Sequence, residues 1–101
     1  MTIVHVVILK FHRPLLAREA SSLVEAAYAM KSVIPVIKSI KCGCDLGLNE
    51  IARSSYSLTA EFSSIDDYKT YSAHPAHVEF INRYLKPYLA VDGRRAIQFE
   101  I

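Results

Sequence analysis

Residues 71–80, with the sequence YSAHPAHVEF, hold the side chains of this chain that are best suited to chemistry. His74 and His77 lie close together, Tyr71 precedes them, and an apolar run begins after them. A histidine is the usual general base near neutral pH, and a tyrosine hydroxyl can donate a hydrogen bond to a developing oxyanion. The same residues also fit a metal site or the start of a helix, so three interpretations stand at this point.

His5 is a further candidate because it lies within IVHVVILKF, an apolar stretch typical of a central strand. A buried imidazole is costly unless it finds a partner. If its face of the strand is the one that the helices cover, His5 points toward the space beneath His77. A satisfied core histidine is the alternative for both residues, and a core aromatic with a satisfied hydroxyl is the alternative for Tyr71.

The spacing of the histidines favours acid–base chemistry over a metal site. Pro75 suits the first position of a helix and places His74 outside the helical surface, most simply as a cap, while Glu61 and Glu79 are the only suitably placed carboxylates. No glycine-rich phosphate loop, Ser-His-Asp order or paired-carboxylate spacing is visible. We therefore predict neither a metal nor a cofactor.

The composition is that of one small globular domain covering residues 1–101, with 51% hydrophobic residues and a net charge of +2. No basic cluster is longer than Arg94-Arg95, so nucleic acid is not expected as a partner. No stretch is long and apolar enough for a membrane span and no leader is visible, which predicts a cytoplasmic protein. Cys42 and Cys44 lie in a predicted strand and are expected to be reduced.

Hydrophobic periodicity predicts the order β-α-β-β-α-β, with the second helix broken at His74-Pro75. The strands are expected at residues 3–11, 36–45, 56–62 and 90–101, and the helices from Pro14 to Ile34 and from the Ser63 or Ser64 cap to Pro87, with a loop at DLGLNEIARS. This order is typical of an α+β, ferredoxin-like protomer.

The first strand indicates that the protomer does not act alone. In a ferredoxin-like fold both helices cover one face of the sheet and leave the other bare, yet this central strand is apolar on both faces. A monomer would expose an apolar patch that few water-exposed proteins tolerate. We predict a homodimer in which two sheets pack face to face.

The stretches HVVILKF, the helix ending VIP and above all YSAHPAHVEF resemble the stress-responsive dimeric α/β-barrel family over nearly the whole chain. The resemblance implies a dimeric α/β barrel closed by the sheets of two protomers. It is greatest to the olivetolic acid cyclase-like polyketide cyclases, which close an aromatic ring by intramolecular aldol condensation. The HPAHV stretch also occurs in stress-induced members that have no established activity.

The resemblance also implies roles for individual residues. His77 and Tyr71 match the catalytic pair, and His5 matches a histidine that lines the pocket. Two pocket positions depart from the cyclases, since Ala27 stands in place of a tyrosine and Tyr56 in place of a histidine. The candidate substrate-binding residues are His5, Tyr56, Leu23, Ala27, Phe80 and Ile81.

Three functions follow as hypotheses. The first is a cofactor-free polyketide cyclase, a lyase that acts on a linear β-polyketone. The second is a non-catalytic, stress-responsive barrel protein that binds small molecules, and the third is a cofactor-independent monooxygenase acting on aromatic substrates. An open apolar cavity of a few hundred Å³ beside the histidines favours an enzyme, whereas bulky side chains filling that space favour the second hypothesis.

Overall fold

The structure is a computed structural model that describes residues 1–49 and 54–101. In chain order the elements are β1 (Ile3–Phe11), α1 (Ala17–Val33), β2 (Ser39–Cys44), β3 (Tyr56–Phe62), α2 (Ile65–Ala73), α3 (Pro75–Phe80), a π-helical turn (Ile81–Leu85) and β4 (Leu89–Glu100). The predicted order β-α-β-β-α-β is therefore confirmed. The predicted loop at residues 45–54 lies partly outside the described residues.

The four strands form one antiparallel sheet in the order β2-β3-β1-β4. β1 is central, and the register places His5 directly opposite Ala60 on one side and Gln98 on the other. Directly opposed residues in an antiparallel pair share a face of the sheet. This is the α+β, ferredoxin-like fold that the sequence predicted.

The core lies between the helices and the face of β1 that carries its odd-numbered residues. His5 and Leu9 on this face are almost fully buried. From the helices, the buried contributions are Leu23, Ala27 and Met30 of α1, Tyr71 of α2, and His77 and Phe80 of α3. Packing the helices onto one face closes the core around His5.

None of the helices in residues 1–49 and 54–101 covers the opposite face of the sheet. Ile8 on β1 is 50% exposed, and Ile97 and Phe99 on β4 are 62% and 46% exposed. The register pairs Val6 with Ile97 and Val4 with Phe99, so these side chains form one continuous apolar strip. We call the strip formed by Val4, Val6, Ile8, Ile97 and Phe99 the bare face.

Helix α1 begins at Ala17, so the expectation that Pro14 occupies its first turn is wrong. The Glu19 carboxylate reaches back to accept the backbone N–H of Leu16 at 2.8 Å, and the Arg13 guanidinium holds that carboxylate with two bonds of 2.8 and 2.9 Å. The Leu16 N–H is therefore satisfied although Leu16, the N-cap residue, has no polar side chain. This contact accounts for the start of α1 immediately after Leu16.

Strand β2 begins at Ser39, three residues later than the sequence indicates. The Ile37 N–H donates to the Ile34 carbonyl at 3.2 Å, so a tight turn follows α1 before the chain can join the sheet. Cys42 and Cys44 are both free thiols, as predicted. Burial raises the pKa of Cys42 to about 11.

The segment from Ser64 to Pro75 places two helices end to end at an angle. Ser64 caps α2 by accepting the Asp67 N–H at 3.0 Å, and the His74 ring caps α3 by accepting the Ala76 N–H at 3.0 Å. His74 has extended backbone geometry, as expected for a residue before proline. The break turns the start of α3 back over the end of α2, which brings His77 beside Tyr71.

The helix that begins at Pro75 does not stay α-helical to Pro87. Its final turn is a π-helix in which the Lys86 N–H donates to the Ile81 carbonyl at 2.9 Å. Pro87 has no N–H to continue the helix. The hydrophobic pattern alone does not distinguish the two kinds of turn.

Within the described ranges 1–49 and 54–101, no helix is both long enough and apolar enough to cross a bilayer. The cytoplasmic location stays a prediction.

Candidate functional site

A small cavity lies between the sheet and the α2–α3 segment, and the two predicted catalytic residues line it. Its walls are His5, Val7, Leu9, Leu58, Tyr71, His77, Phe80, Ile81, Leu85 and Arg94. Five of these were candidates from the sequence: His5, Tyr71, His77, Phe80 and Ile81. The cavity therefore combines apolar walls with four polar side chains at one place.

His77 is 7% exposed and lies in the first turn of α3. Its Nδ1 is 3.0 Å from the Ser72 carbonyl oxygen, which can only accept, so Nδ1 carries the proton and donates. The neutral ring then keeps its lone pair on Nε2. Burial is the main cause that lowers the pKa of His77; the bond to Ser72 opposes it, and the charge of Arg94 adds to it.

Burial disfavours the charged imidazolium and therefore favours the neutral ring of His77. In the described part of the chain, no fully buried side-chain nitrogen or oxygen lacks a partner. Since no protein group there bonds His77 Nε2, this nitrogen is open to the cavity as a proton acceptor.

His5 has the opposite tautomer. Its Nδ1 lies 2.8 Å from Gln98 Nε2, an amide nitrogen that can only donate, so Nδ1 accepts and the neutral ring carries its proton on Nε2. Burial, followed by the charges of Arg94 and His77, lowers the pKa of His5 to about 4. The ring is therefore neutral near neutral pH and offers an N–H donor.

Tyr71 is 2% exposed, and its ring centroid lies 4.3 Å from that of His77 and 5.9 Å from that of His5. Burial raises its pKa, and the neighbouring Tyr68 adds to the rise. The hydroxyl is therefore protonated throughout the physiological range. It makes no hydrogen bond to another described residue, which leaves its proton available to a guest in the cavity.

Arg94 and Gln98 are two site residues that the sequence did not single out. Leu9 faces Arg94 and His5 faces Gln98 across β1 and β4, which turns both toward the helix-covered side. The register shifts between Leu9 and Phe11 at a bulge in this pairing. Just before Arg94, Gly93 packs against the Lys10 carbonyl so closely that any Cβ would clash. The polar positions that alternate along β4 were the sequence signal for Arg94 and Gln98. Assigning them to the side of the cavity required the register between β1 and β4.

Three candidate binding residues lie elsewhere. Leu23 and Ala27 are buried in the core, and Tyr56 packs against Phe11 with ring centroids 5.7 Å apart. Tyr56 also borders a separate surface groove beside Cys44. The reason is that α1 packs toward β2, at the far side of the sheet from β4. A role for these three in binding stays a prediction.

His74 does not line the cavity, and its Nδ1 is occupied as the cap of α3. Among residues 1–49 and 54–101, no group of three or more His, Cys, Asp or Glu side chains is placed to hold a metal ion. His12 is exposed at the end of β1, with Nε2 3.4 Å from the Pro87 carbonyl oxygen.

The cavity is small and nearly filled by side chains. Its free volume is about 10 Å³, which is room for about one water molecule. An enzyme acting on a polyketone needs far more, so this observation favours the second hypothesis, a non-catalytic barrel protein. On the other side of Phe80 lies an outer groove of about 240 Å³ between α1 and α3. Phe80 lines both spaces and is the wall between them.

The comparison with protein families gives one match. The family described as "Stress responsive A/B Barrel Domain" matches residues 3–101. No curated protein matches the chain.

Solved structures share the fold over the whole chain. A dimeric protein with a ferredoxin-like fold from Bacteroides fragilis is 27% identical, with a TM-score of 0.82 over 99% of this chain and 96% of that one. The hydroxynitrile lyase of Passiflora edulis is 17% identical, with a TM-score of 0.80 over 99% and 93%. SnoaB, a cofactor-independent oxygenase from Streptomyces nogalater, is 14% identical, with a TM-score of 0.74 over 99% and 92%. The last two likenesses establish the fold alone.

Proposed function

This chain belongs to the stress-responsive A/B barrel domain family, and from that premise we propose that it is a cofactor-free polyketide cyclase. The reaction is an intramolecular aldol closure of a short, linear β-polyketone. The observation that carries the proposal is the arrangement of tautomers around the cavity. His77 Nε2 accepts, while His5 Nε2 and the Tyr71 hydroxyl donate.

The first step is the removal of a proton from a carbon between two carbonyls. His77 Nε2 accepts this proton and the ring becomes an imidazolium, stabilised by its Nδ1–H bond to the Ser72 carbonyl. A depressed pKa keeps the ring unprotonated before substrate arrives. The electron pair left on carbon is delocalised onto the flanking oxygens as an enolate.

The second step forms the ring. The enolate carbon attacks a distant carbonyl carbon of the same chain, one C–C bond forms, and the carbonyl π pair becomes an alkoxide. The Tyr71 hydroxyl and the His5 N–H then donate hydrogen bonds to this oxygen, which is supported by the position of both rings in the cavity wall with centroids 5.9 Å apart. The imidazolium of His77 returns its proton to the alkoxide, so no oxidant, reductant or cofactor is needed.

The substrate must enlarge the present cavity. Phe80 is the side chain whose rotation would join the inner cavity of about 10 Å³ to the outer groove of about 240 Å³. Met30 and Ala76 line that groove, so the added volume is apolar and suits a hydrocarbon chain. The modest combined volume supports a short substrate.

The bare face supports a homodimer. Exposed Ile97, Phe99 and Ile8 give an apolar surface that a second copy would bury, and the related protein of Bacteroides fragilis is described as dimeric. The proposed dimer joins sheet to sheet and leaves the helix-covered cavity of each protomer intact.

Turnover by paired variants tests the function. Purified protein is incubated with a short linear β-polyketone, supplied both as the free keto acid and as its N-acetylcysteamine thioester, and the cyclised product is followed by chromatography and mass spectrometry. His77→Ala is expected to lower the rate by about a hundredfold or more, and Tyr71→Phe by less, since only one donor is lost. His12→Ala, which changes an exposed histidine, is the control and should leave the rate unchanged.

Ring formation that is undiminished in His77→Ala, with the variant folded, would remove His77 from the mechanism. The nearly filled cavity favours a second candidate, a non-catalytic barrel protein that binds small molecules. That candidate predicts no rate above the spontaneous reaction in the wild type. Oxygen uptake with a hydroquinone, under the same conditions, would instead indicate an oxygenase.

A further inference from the structure

Arg94 is the only permanently charged side chain among the described residues that line the cavity. It stands on β4 opposite Leu9, on the same face of the sheet as His5 and Gln98. Its position is fixed on one side by Gly93, which packs against the Lys10 carbonyl. The register therefore fixes the side of the sheet from which Arg94 lines the cavity, while the residue as a whole stays exposed to solvent.

No carboxylate compensates this charge. The cavity wall contains no Asp or Glu, and the one ion pair found in residues 1–49 and 54–101 joins Arg13 to Glu19, neither of which lines the cavity. The charge of Arg94 lowers the pKa of both His5 and His77. The site thus has an uncompensated cation beside two neutral imidazoles.

A guanidinium presents a planar pair of N–H donors that matches the two oxygens of a carboxylate. We propose that Arg94 binds the carboxylate of the ligand, so that this site takes keto acids and hydroxy-aromatic acids in preference to neutral ketones and phenols. The inference rests on the proposed function, for which it names the substrate class.

An anion bound at Arg94 has a further consequence for His77. The negative charge offsets the guanidinium, so the effect by which Arg94 lowers the pKa of His77 is reduced when substrate is bound. His77 becomes a stronger base only when an acid occupies the cavity. Binding of the correct ligand class and activation of the base are thereby linked.

A pair of aromatic probes that differ by one carboxylate tests the inference. Salicylate and phenol are titrated by calorimetry into the wild type, Arg94→Gln and Arg94→Lys. The wild type is expected to bind salicylate more tightly than phenol. Arg94→Gln should weaken salicylate by about ten- to a hundredfold and leave phenol unchanged, since a charge-assisted bond is lost. Arg94→Lys should restore part of the affinity.

Arg18→Gln is the matched control, because it removes the same charge from the exposed surface of α1. It should leave both titrations as in the wild type. Equal weakening of salicylate and phenol in Arg94→Gln, an unchanged affinity for salicylate, or no binding of salicylate to the wild type at millimolar concentration would each overturn the inference.

These titrations need no turnover, so they separate the inference from the function. If His77→Ala loses ring formation while salicylate binding is independent of Arg94, the cyclase stands and the carboxylate site fails. If His77→Ala keeps ring formation while salicylate depends on Arg94, the reverse holds. With a keto-acid substrate, Arg94→Gln is expected to raise KM by about tenfold or more and to change kcat little.

Discussion

The two faces of the sheet differ in the side chains that they present, and β4 shows the difference most clearly. Toward the helices, β4 presents Arg94, which lines the cavity, and Gln98, which bonds His5. On the other side it presents Ile97 and Phe99. In a monomer that faces water on one side of its sheet, the apolar residues belong on the covered side. β4 therefore carries polar residues on the face of the candidate site and apolar residues on the face that we propose is covered by a second copy.

The two faces also differ in how far the protomer alone buries their side chains. On the covered face every fully buried side-chain polar atom of the described residues has a partner, and the apolar side chains are packed. On the bare face, exposed side chains such as Ile8 and Ile97 lack any cover within the protomer. The covered face is complete within one chain, and the bare face is completed by the proposed second copy.

The largest expected effect is the loss of dimer affinity when the bare face is changed. Ile97→Asp places a carboxylate at the centre of the proposed interface, and twofold symmetry does so twice. Burying these unpaired charges is expected to weaken the dimer by about a thousandfold. Analytical ultracentrifugation across a dilution series measures the change. Val91→Asp is the control, since Val91 lies on the same strand and is 95% exposed.

If Ile97→Asp sediments as the wild type does, or if the wild type is a monomer at every concentration, the bare face is not the interface. Loss of the dimer together with loss of fold, judged by circular dichroism, would instead show that the protomer depends on its partner.

A smaller effect on the covered face is the pH dependence of the free energy of unfolding. The pKa of His5 falls from 6.5 in the unfolded chain to about 4 in the fold, so the unfolded state binds more protons in this window. The stabilisation is present above the unfolded pKa of 6.5 and is lost as pH falls toward about 4. Urea unfolding should show a decrease of up to about 3 kcal/mol across this window.

His5→Gln should remove the part of that pH dependence due to His5, because the replacement does not titrate, and leave the part due to His77, whose pKa burial also lowers. His12→Gln changes an exposed histidine and should retain both parts. A slope that is identical in the wild type and in His5→Gln would mean that His5 is protonated in the fold or that its pKa is not depressed.

The smallest effect concerns the cap of α2, which holds Tyr71 over the covered face. Ser64→Ala removes the acceptor of the Asp67 N–H. The free energy of unfolding should decrease by about 1 kcal/mol. Ser63→Ala is the control, since Ser63 is exposed and does not cap the helix. Equal stability of the two variants would show that Ser64 does not cap α2 in solution.

Periodicity and capping patterns predicted most of the fold. The apolar run of β1, the alternation of β3, the Ser64 cap and the break before Pro75 each follow from local chemistry, so the order and type of elements were confirmed. The start of α1 was missed because Glu19 supplies the capping bond from inside the helix. The π-helical turn was missed because the same apolar spacing fits an α-helix.

The site was predicted only in part for a different reason. His5, Tyr71 and His77 were found because their residue types suggest chemistry, and the resemblance of YSAHPAHVEF grouped them. Arg94 and Gln98 join them through the pairing of β1 with β4, which depends on a register and a bulge that no local pattern encodes. The nearly filled cavity depends on how side chains such as Phe80 pack, which a sequence does not specify.

The central claim is that His77 presents a neutral acceptor nitrogen to a cavity in which His5 presents a donor. Long-range proton–nitrogen NMR correlations of the wild-type protein at neutral pH measure both tautomers directly. We expect His77 protonated on Nδ1 with a lone pair on Nε2, and His5 protonated on Nε2 with a lone pair on Nδ1. An imidazolium at His77, or a proton on its Nε2 in place of Nδ1, would contradict the account.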